Sequence, residues 1–238
     1  MKFKGPLTEA VLLKRYFRFL VDVALKNKHK RTIYCPNLGP LINCDVLGSR
    51  VWYSSTSRVH GYLDVLEIVE VNGGWLVSIH PEHTKFLVME GVHQGLVPEL
   101  RDFRFLHAPI SPSFGNGIEL LLKENGEQCF LHIEQVIFGD DRGEGYFPEI
   151  AGNNMLSLKE LISLKEAGHR AVLFYCVQHT GIGCVRPADV IDPLYGKMVR
   201  DAARMGVEIL AYRVNISFRE ITLESRIPVL LSEDIAYR

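Results

Sequence analysis

Hydrophobic and polar positions along the chain change rhythm near residue 80. Before it, short runs alternate with a period near two. Phe17, Phe19, Val21 and Val23 alternate with Arg18, Leu20, Asp22 and Ala24, the spacing of a strand with one buried face. Residues 31–35 continue the pattern and end at the turn signal Pro36-Asn37. Residues 51–54 and 62–71 read as further strands, and Asn72-Gly73-Gly74 folds the second back on residues 75–79 as a hairpin. Short strands separated by turns predict a small closed barrel of the oligonucleotide-binding type over residues 1–80.

From residue 81 onward the elements alternate in type. Residues 81–92 suit a helix, with Phe86, Leu87, Met89 and Val92 on one side. Residues 118–122 and 130–137 read as strands joined at Asn125-Gly126. Leu158, Leu161, Ile162 and Lys165 fit a helix that stops at Gly168. Residues 171–177 are continuously apolar, as a strand covered on both faces would be. Asp192-Pro193 offers a cap residue and an N1 proline to a helix whose inner face is Met198, Ala202 and Met205. Gly206 ends that helix, and residues 207–213 form the next strand. The order predicts an α+β or α/β domain with a mixed sheet over residues 81–238.

A chain of 238 residues can bury a real core without disulfides. The five cysteines (Cys35, Cys44, Cys129, Cys176 and Cys184) are odd in number and irregularly spaced, which argues against a disulfide framework and fits a reducing compartment. No stretch is apolar for the length a bilayer needs, and residues 1–6 lack the apolar core of a signal peptide. A cytoplasmic protein with no membrane partner is the expectation.

Net charge is only −1, but the charge is unevenly spread. Lys2, Lys4, Lys14, Arg15, Arg18, Lys26, Lys28, Lys30 and Arg31 face only Glu9 and Asp22 within the first 31 residues. Interleaved Tyr16, Phe17 and Phe19 would give bases a stacking face, and the cations would bind phosphates. The plain alternative is that the aromatics are core and the charges keep a barrel soluble.

A second candidate lies on the paired strands of the later domain. His132 and Glu134 are two apart on one strand, so they share a face. If Glu119 pairs opposite, the three form a hard-cation site for Mg²⁺ or Mn²⁺, which would activate water against a phosphodiester. The alternative is a solvated sheet face. A third set, Cys176, His179 and Cys184, has zinc-binding residue types. Its spacing matches no standard finger, and Cys176 fits strand core better.

Several segments, taken in order, resemble the bacterial sugar fermentation stimulation family. They are Arg15-Tyr16-Phe17-Arg18-Phe19-Leu20, Cys35-Pro36-Asn37 with Gly39, and Gly145-Tyr146-Phe147-Pro148. Pro187, Ile191-Asp192, Tyr195 and Gly206-Val207-Glu208-Ile209-Leu210-Ala211-Tyr212 follow. The resemblance implies an oligonucleotide-binding-type barrel followed by a domain like the PD-(D/E)XK nucleases, and non-specific DNA binding linked to sugar-gene regulation. Members typically carry an aspartate on the first site strand and Glu-x-Lys on the second. Here Glu119 takes the aspartate position. Anchored on Cys129, the glutamate becomes His132 and the lysine becomes Glu134; anchored on Ile133-Glu134, the lysine position is Val136. Neither register keeps the lysine. Lys159 or Lys165 on the following helix would have to replace it by migration. The family's Thr-x-Arg and Ser-Arg are also missing at residues 149–154 and near Asn116-Gly117.

The favoured expectation is therefore a nucleic-acid-binding protein, with DNA as partner and a degenerate nuclease-like site. The contact set is Lys14, Arg15, Arg18, Lys28, Lys30, Arg31 and Asn37. Two alternatives stay open: a metal-dependent nuclease or phosphodiesterase using Glu119, His132 and Glu134, and a protein-interaction module. A homodimer is compatible with each.

Overall fold

In the computed structural model the described residues are 1–55, 64–71, 73–105, 117–123, 125–148 and 155–232. The first six strands are β1 (Thr8–Tyr16), β2 (Leu20–Ala24), β3 (Lys30–Tyr34), β4 (Arg50–Ser54), β5 (Val65–Val71) and β6 (Trp75–Ser78). Antiparallel pairing joins β3-β2-β1-β4-β5-β6, and a parallel pairing of Tyr34 with Val65 closes β3 onto β5. The result is a five-stranded closed barrel, with Val21, Val23, Ile33, Val51, Leu66 and Val69 buried inside; a small closed barrel is what the strand pattern predicts, although it does not mark β1 as one of the strands.

One strand differs from its prediction. The alternation over residues 17–23 is continuous in sequence, yet β2 begins only at Leu20. Phe17 and Arg18 have φ of 51° and 65° and form the turn between β1 and β2. Residues two apart in a tight turn mimic strand alternation, so the period alone could not separate the two. Only Val21 and Val23 of that run are buried. Tyr62, also expected in a strand, lies outside the described residues.

The second domain holds α1 (Pro81–His93), β7 (Arg104–Phe105), β8 (Ile118–Leu122), β9 (Gln128–Val136), β10 (Glu144–Phe147), α2 (Met155–Glu166), β11 (Arg170–Val177), β12 (Cys184–Pro187), α3 (Pro193–Arg204), β13 (Glu208–Ile216) and β14 (Ile221–Arg226). Its main sheet runs β14-β13-β11-β9-β8-β7. The central β9, β11 and β13 are parallel, and the flanking strands are antiparallel. On one face lie α2 and α3, with Leu158, Leu161, Tyr195 and Val199 in the core. On the other, Leu87, Val88 and Val92 of α1 pack with Trp52 and Ile68 of the barrel.

Two helix faces are rotated from expectation. In α1 the buried residues are Thr84, Leu87, Val88, Gly91 and Val92, while Phe86 is exposed. Gly91 permits this: a Cβ there would lie 2.5 Å from Leu223 Cδ2 of β14, so the helix rides closely on the strand. In α3, Asp192 caps as expected, its Oδ1 accepting from Tyr195 N at 2.9 Å. Its inner face is Tyr195, Gly196, Val199, Arg200 and Ala202, with Met205 partly exposed. The paired β10 and β12 and the edge strand β14 carried no clear sequence pattern.

Barrel and sheet are joined along β6. Ser78 N donates to Gln178 O at 3.0 Å, and Thr180 N donates to Leu76 O at 2.9 Å. Leu76 N donates to Thr180 Oγ1 at 2.9 Å, and Val77 bridges His179. Ile137, from the end of β9, sits in the barrel core. With this seam, tryptophan fluorescence (Trp52 and Trp75 both lie in the barrel) and far-UV circular dichroism should report one coincident urea transition. Leu173→Ala, at the fully buried centre of β11, should lower its free energy by about 2–5 kcal/mol. Separate transitions for the two probes would show that the seam does not couple the domains.

Candidate nuclease-like site and nucleic-acid surface

The register of β8 on β9 decides the acidic set. Ile118 stands opposite His132, and Glu119 opposite Leu131. Opposed residues share a face, so Glu119 points with Leu131 toward α1. His132 and Glu134 point the other way, toward α2. The expected grouping of Glu119, His132 and Glu134 does not form; Glu119 Oε1 lies instead 2.6 Å from Lys85 Nζ of α1. A one-residue slip would have reversed this. The register is held at the turn, where Lys123 N donates to Glu127 O and Gly126 N to Lys123 O, each at 3.0 Å.

His132 and Glu134 satisfy one another. His132 Nδ1 is 2.8 Å from the Gly117 carbonyl, and its Nε2 is 2.8 Å from Glu134 Oε1. The ring is thus hydrogen-bonded at both nitrogens. Burial alone would lower the His132 pKa, but the hydrogen bond and charge of Glu134 and the Gly117 carbonyl together raise it. Beside the pair, the Tyr175 and Tyr195 hydroxyls lie 3.0 Å apart in the core. Lys159 is exposed on α2. Lys165 lies against Gly206 at the start of β13, several residues along the sheet from Glu134. Residues 149–154 and Asn116 lie outside the described residues.

Because the folded-state pKa of His132 is raised, its pairing stabilises the protein fully below the ordinary imidazole value of 6.5. That contribution is lost as pH rises through the raised value. Glu134→Gln should move the His132 titration, followed by NMR, downward, since burial is then opposed only by the Gly117 carbonyl and the more distant charge of Glu160. An unchanged titration would show that the pair does not form.

The barrel residues divide into two groups. Arg15 Nη2 donates to Asn37 O and Gly39 O, both at 2.8 Å, and its Nε donates to Arg18 O at 2.9 Å. Asn37 is buried, accepting from Gly39 N at 2.8 Å and donating to Gln135 Oε1 at 3.3 Å. These two expected contacts are thus spent on the loop after β3 and on the joint with β9, because a guanidinium among carbonyls is already saturated. Arg31 pairs with Asp64 at 3.1 Å but is half exposed. Lys14, Arg18, Lys28 and Lys30 are exposed.

The aromatics are not core. Phe17 is 74% exposed and Phe19 37%. Their rings stack with centroids 6.3 Å apart, and Tyr16 meets Phe17 edge-on at 5.6 Å.

Cys176 is fully buried in β11, and His179 Nδ1 accepts from Gly181 N at 3.0 Å. The metal-competent group among the described residues is a different one, Glu67, His80 and His83. Its only sequence signal was two histidines three apart at a helix start, with the carboxylate on a distant strand.

Residues 13–79 match the model of the SfsA N-terminal OB domain, and residues 82–220 that of the sugar fermentation stimulation protein RE domain. The chain belongs to the sugar fermentation stimulation protein family. A homologue from Teredinibacter turnerae is 39% identical over 97% of this chain and all of its own length. One from Marinomonas is 36% identical over 97% of this chain and 91% of its own. The structure of Pyrococcus furiosus SfsA in complex with Ca²⁺ superimposes with a TM-score of 0.84 at 20% identity, covering 97% of this chain and 98% of that one. At that identity the likeness bears on the fold, and it agrees with the barrel followed by a mixed-sheet domain. Among the described residues, no helix is long and apolar enough to cross a membrane.

Proposed function

We propose that this family member binds nucleic acid, DNA in the first instance and without sequence preference, along the β1–β2–β3 side of its barrel. The carrying observation is the exposed stack of Phe17 on Phe19 at the β1–β2 turn. In oligonucleotide-binding barrels that turn and the β2–β3 face hold single strands. Two non-glycine residues with positive φ, Phe17 and Arg18, keep the aromatics turned outward. Burying apolar rings is favourable, so rings held out in solvent on a strained turn suit a surface that stacks bases. Lys14 and Arg18 flank the stack, and Lys28, Lys30 and Arg31 line the far end of β2 and β3. This supports an electrostatic track across the face. A cytoplasmic location and a role in sugar metabolism go with this proposal; the name carried by the relatives, sugar fermentation stimulation protein homolog, supports the second.

The second domain supports the degenerate-site reading over catalysis. Its two site residues neutralise each other, and Glu119 is held on the opposite face by Lys85. A metal-dependent nuclease built on Glu119, His132 and Glu134 would need all three rearranged.

Fluorescence anisotropy with labelled single-stranded and duplex DNA at low and moderate salt tests the binding. Each of Phe17→Ala and Phe19→Ala should weaken single-strand binding by about 1–3 kcal/mol. Lys28→Ala with Lys30→Ala should cut the slope of log affinity against log salt by about 0.7 per lysine. Absence of binding at low salt would overturn the proposal. Loss of a purified DNA substrate in Mg²⁺ or Mn²⁺, abolished by Glu134→Ala, would favour the nuclease instead.

A further inference from the structure

Beyond the nucleic-acid surface, three buried side chains meet where the barrel joins α1. Glu67 is the extra residue of a β-bulge: Trp52 pairs with Ile68 and Tyr53 with Leu66, leaving Glu67 unopposed. Bulges re-aim a side chain, and here the carboxylate turns into the space between β5 and α1. His80 is the N-cap residue of α1 and makes no capping bond with its side chain; Pro81 follows at N1. His83 comes three residues later on the same side of the helix start. Glu67 and His80 are 6% and 7% exposed, and the His83 side chain is 16% exposed.

One ligand atom from each of the three lies within 4.8 Å of the others. Glu67 Oε2, His80 Nδ1 and His83 Nδ1 are buried with no hydrogen-bond partner. The nearest approach, His83 Nδ1 to Glu67 Oε2, is 3.7 Å, too long for a hydrogen bond. Leaving a buried polar atom unpaired costs about 1–3 kcal/mol, and three side chains that meet within 4.8 Å and each carry such an atom favour an occupant. The other carboxylate oxygen, Glu67 Oε1, accepts from Ser54 Oγ at 2.7 Å. A hydroxyl that holds one carboxylate oxygen in this way orients the carboxylate and leaves its other oxygen to a metal.

We propose that Glu67, His80 and His83 form a binding site for a divalent transition-metal ion of the Zn²⁺ class. Two neutral imidazoles and one carboxylate are a donor set that such an ion prefers and that Mg²⁺ and Ca²⁺ do not. Three protein ligands leave a coordination position open toward the adjoining cavity of about 830 Å³, walled by Phe3, Phe86, Phe103 and Phe105. The His80 and His83 rings stack, 4.1 Å apart and 15° from parallel. Their lone pairs then run side by side. Rotating one ring about its soft χ2 torsion turns its nitrogen toward Glu67 and closes the site.

Electrostatics point the same way. With no cation present, burial pushes the Glu67 carboxyl up to about 7 and drives His83 down to about 3. Burial also lowers His80. The site thus keeps both imidazoles neutral, the form that binds metal. The amino group of Met1, which also lines the cavity and opposes a cation, is paired with Glu90.

The test is titration of chelator-treated full-length protein with Zn²⁺ by calorimetry, and with Co²⁺ by visible absorption. The expected result is one saturable site with a tetrahedral Co²⁺ spectrum that lacks a thiolate charge-transfer band, which separates it from binding at Cys184. Mg²⁺ in excess should not compete. Glu67→Gln and His83→Ala should each weaken affinity by about 100-fold or more, and Ser54→Ala by about 10-fold, because Glu67 then loses the hydroxyl that orients it. Metal-free circular dichroism and melting temperature of each variant separate lost ligands from lost fold. No saturable binding by the wild-type protein, or unchanged affinity in a folded Glu67→Gln, would overturn the proposal. Neither outcome bears on DNA binding.

Discussion

The pairing of β6 with residues 178–180 is the contact on which the rest of the structure depends. β6 is the last strand of the barrel sheet, and its far edge would otherwise expose unpaired backbone groups. The segment after β11 takes that edge, with Ser78 and Leu76 bonded to Gln178 and Thr180. Gln178 continues the link by donating from Nε2 to Thr84 Oγ1 of α1 at 2.7 Å, and Gln135 of β9 donates to Ser78 O at 3.2 Å. The strand that ends the barrel, the helix that begins the second domain and two central strands are thereby held together. Glu67, His80 and His83 come together because this joint sets where α1 starts relative to β5.

The His132–Glu134 pair reads differently once its hydrogen bonds are known. His132 bonds the Gly117 carbonyl and the Glu134 carboxylate at 2.8 Å each, so two largely buried polar side chains have partners rather than facing solvent. Breaking one partner of such a pair leaves the other buried and uncompensated, and that is a strong reason for the two to be retained together.

The barrel shows the opposite economy. Arg15 is the most heavily bonded of the expected nucleic-acid contacts, and that is why it is unavailable: its donors hold the carbonyls of the loop after β3. The free surface belongs to side chains that the fold does not need. Phe17, Arg18 and Phe19 stand on a turn, and Lys28 and Lys30 lie beyond the ends of the inward-facing positions.

How much was legible in the sequence follows from the range of each interaction. The closed barrel, the mixed sheet, the cap at Asp192, the doubly covered β11 and the shared face of His132 and Glu134 all rest on neighbours a few residues apart. Local periodicity and turn chemistry determine these. Phe17 and Phe19 escaped correct placement because a turn and a strand share a two-residue spacing there. Glu119 escaped because register depends on which residue of the 122–128 turn closes it, and one step moves a side chain through the sheet. The rotation of α1 waited on the fit of Gly91 against Leu223, 132 positions away in the chain. The cluster of Glu67 with His80 and His83 needed both a bulge in β5 and the seam at β6. The sequence by itself determined which elements form and which faces are apolar. Only the tertiary structure decided which side chains meet, because pairing register, bulges and close helix approach depend on contacts between distant segments.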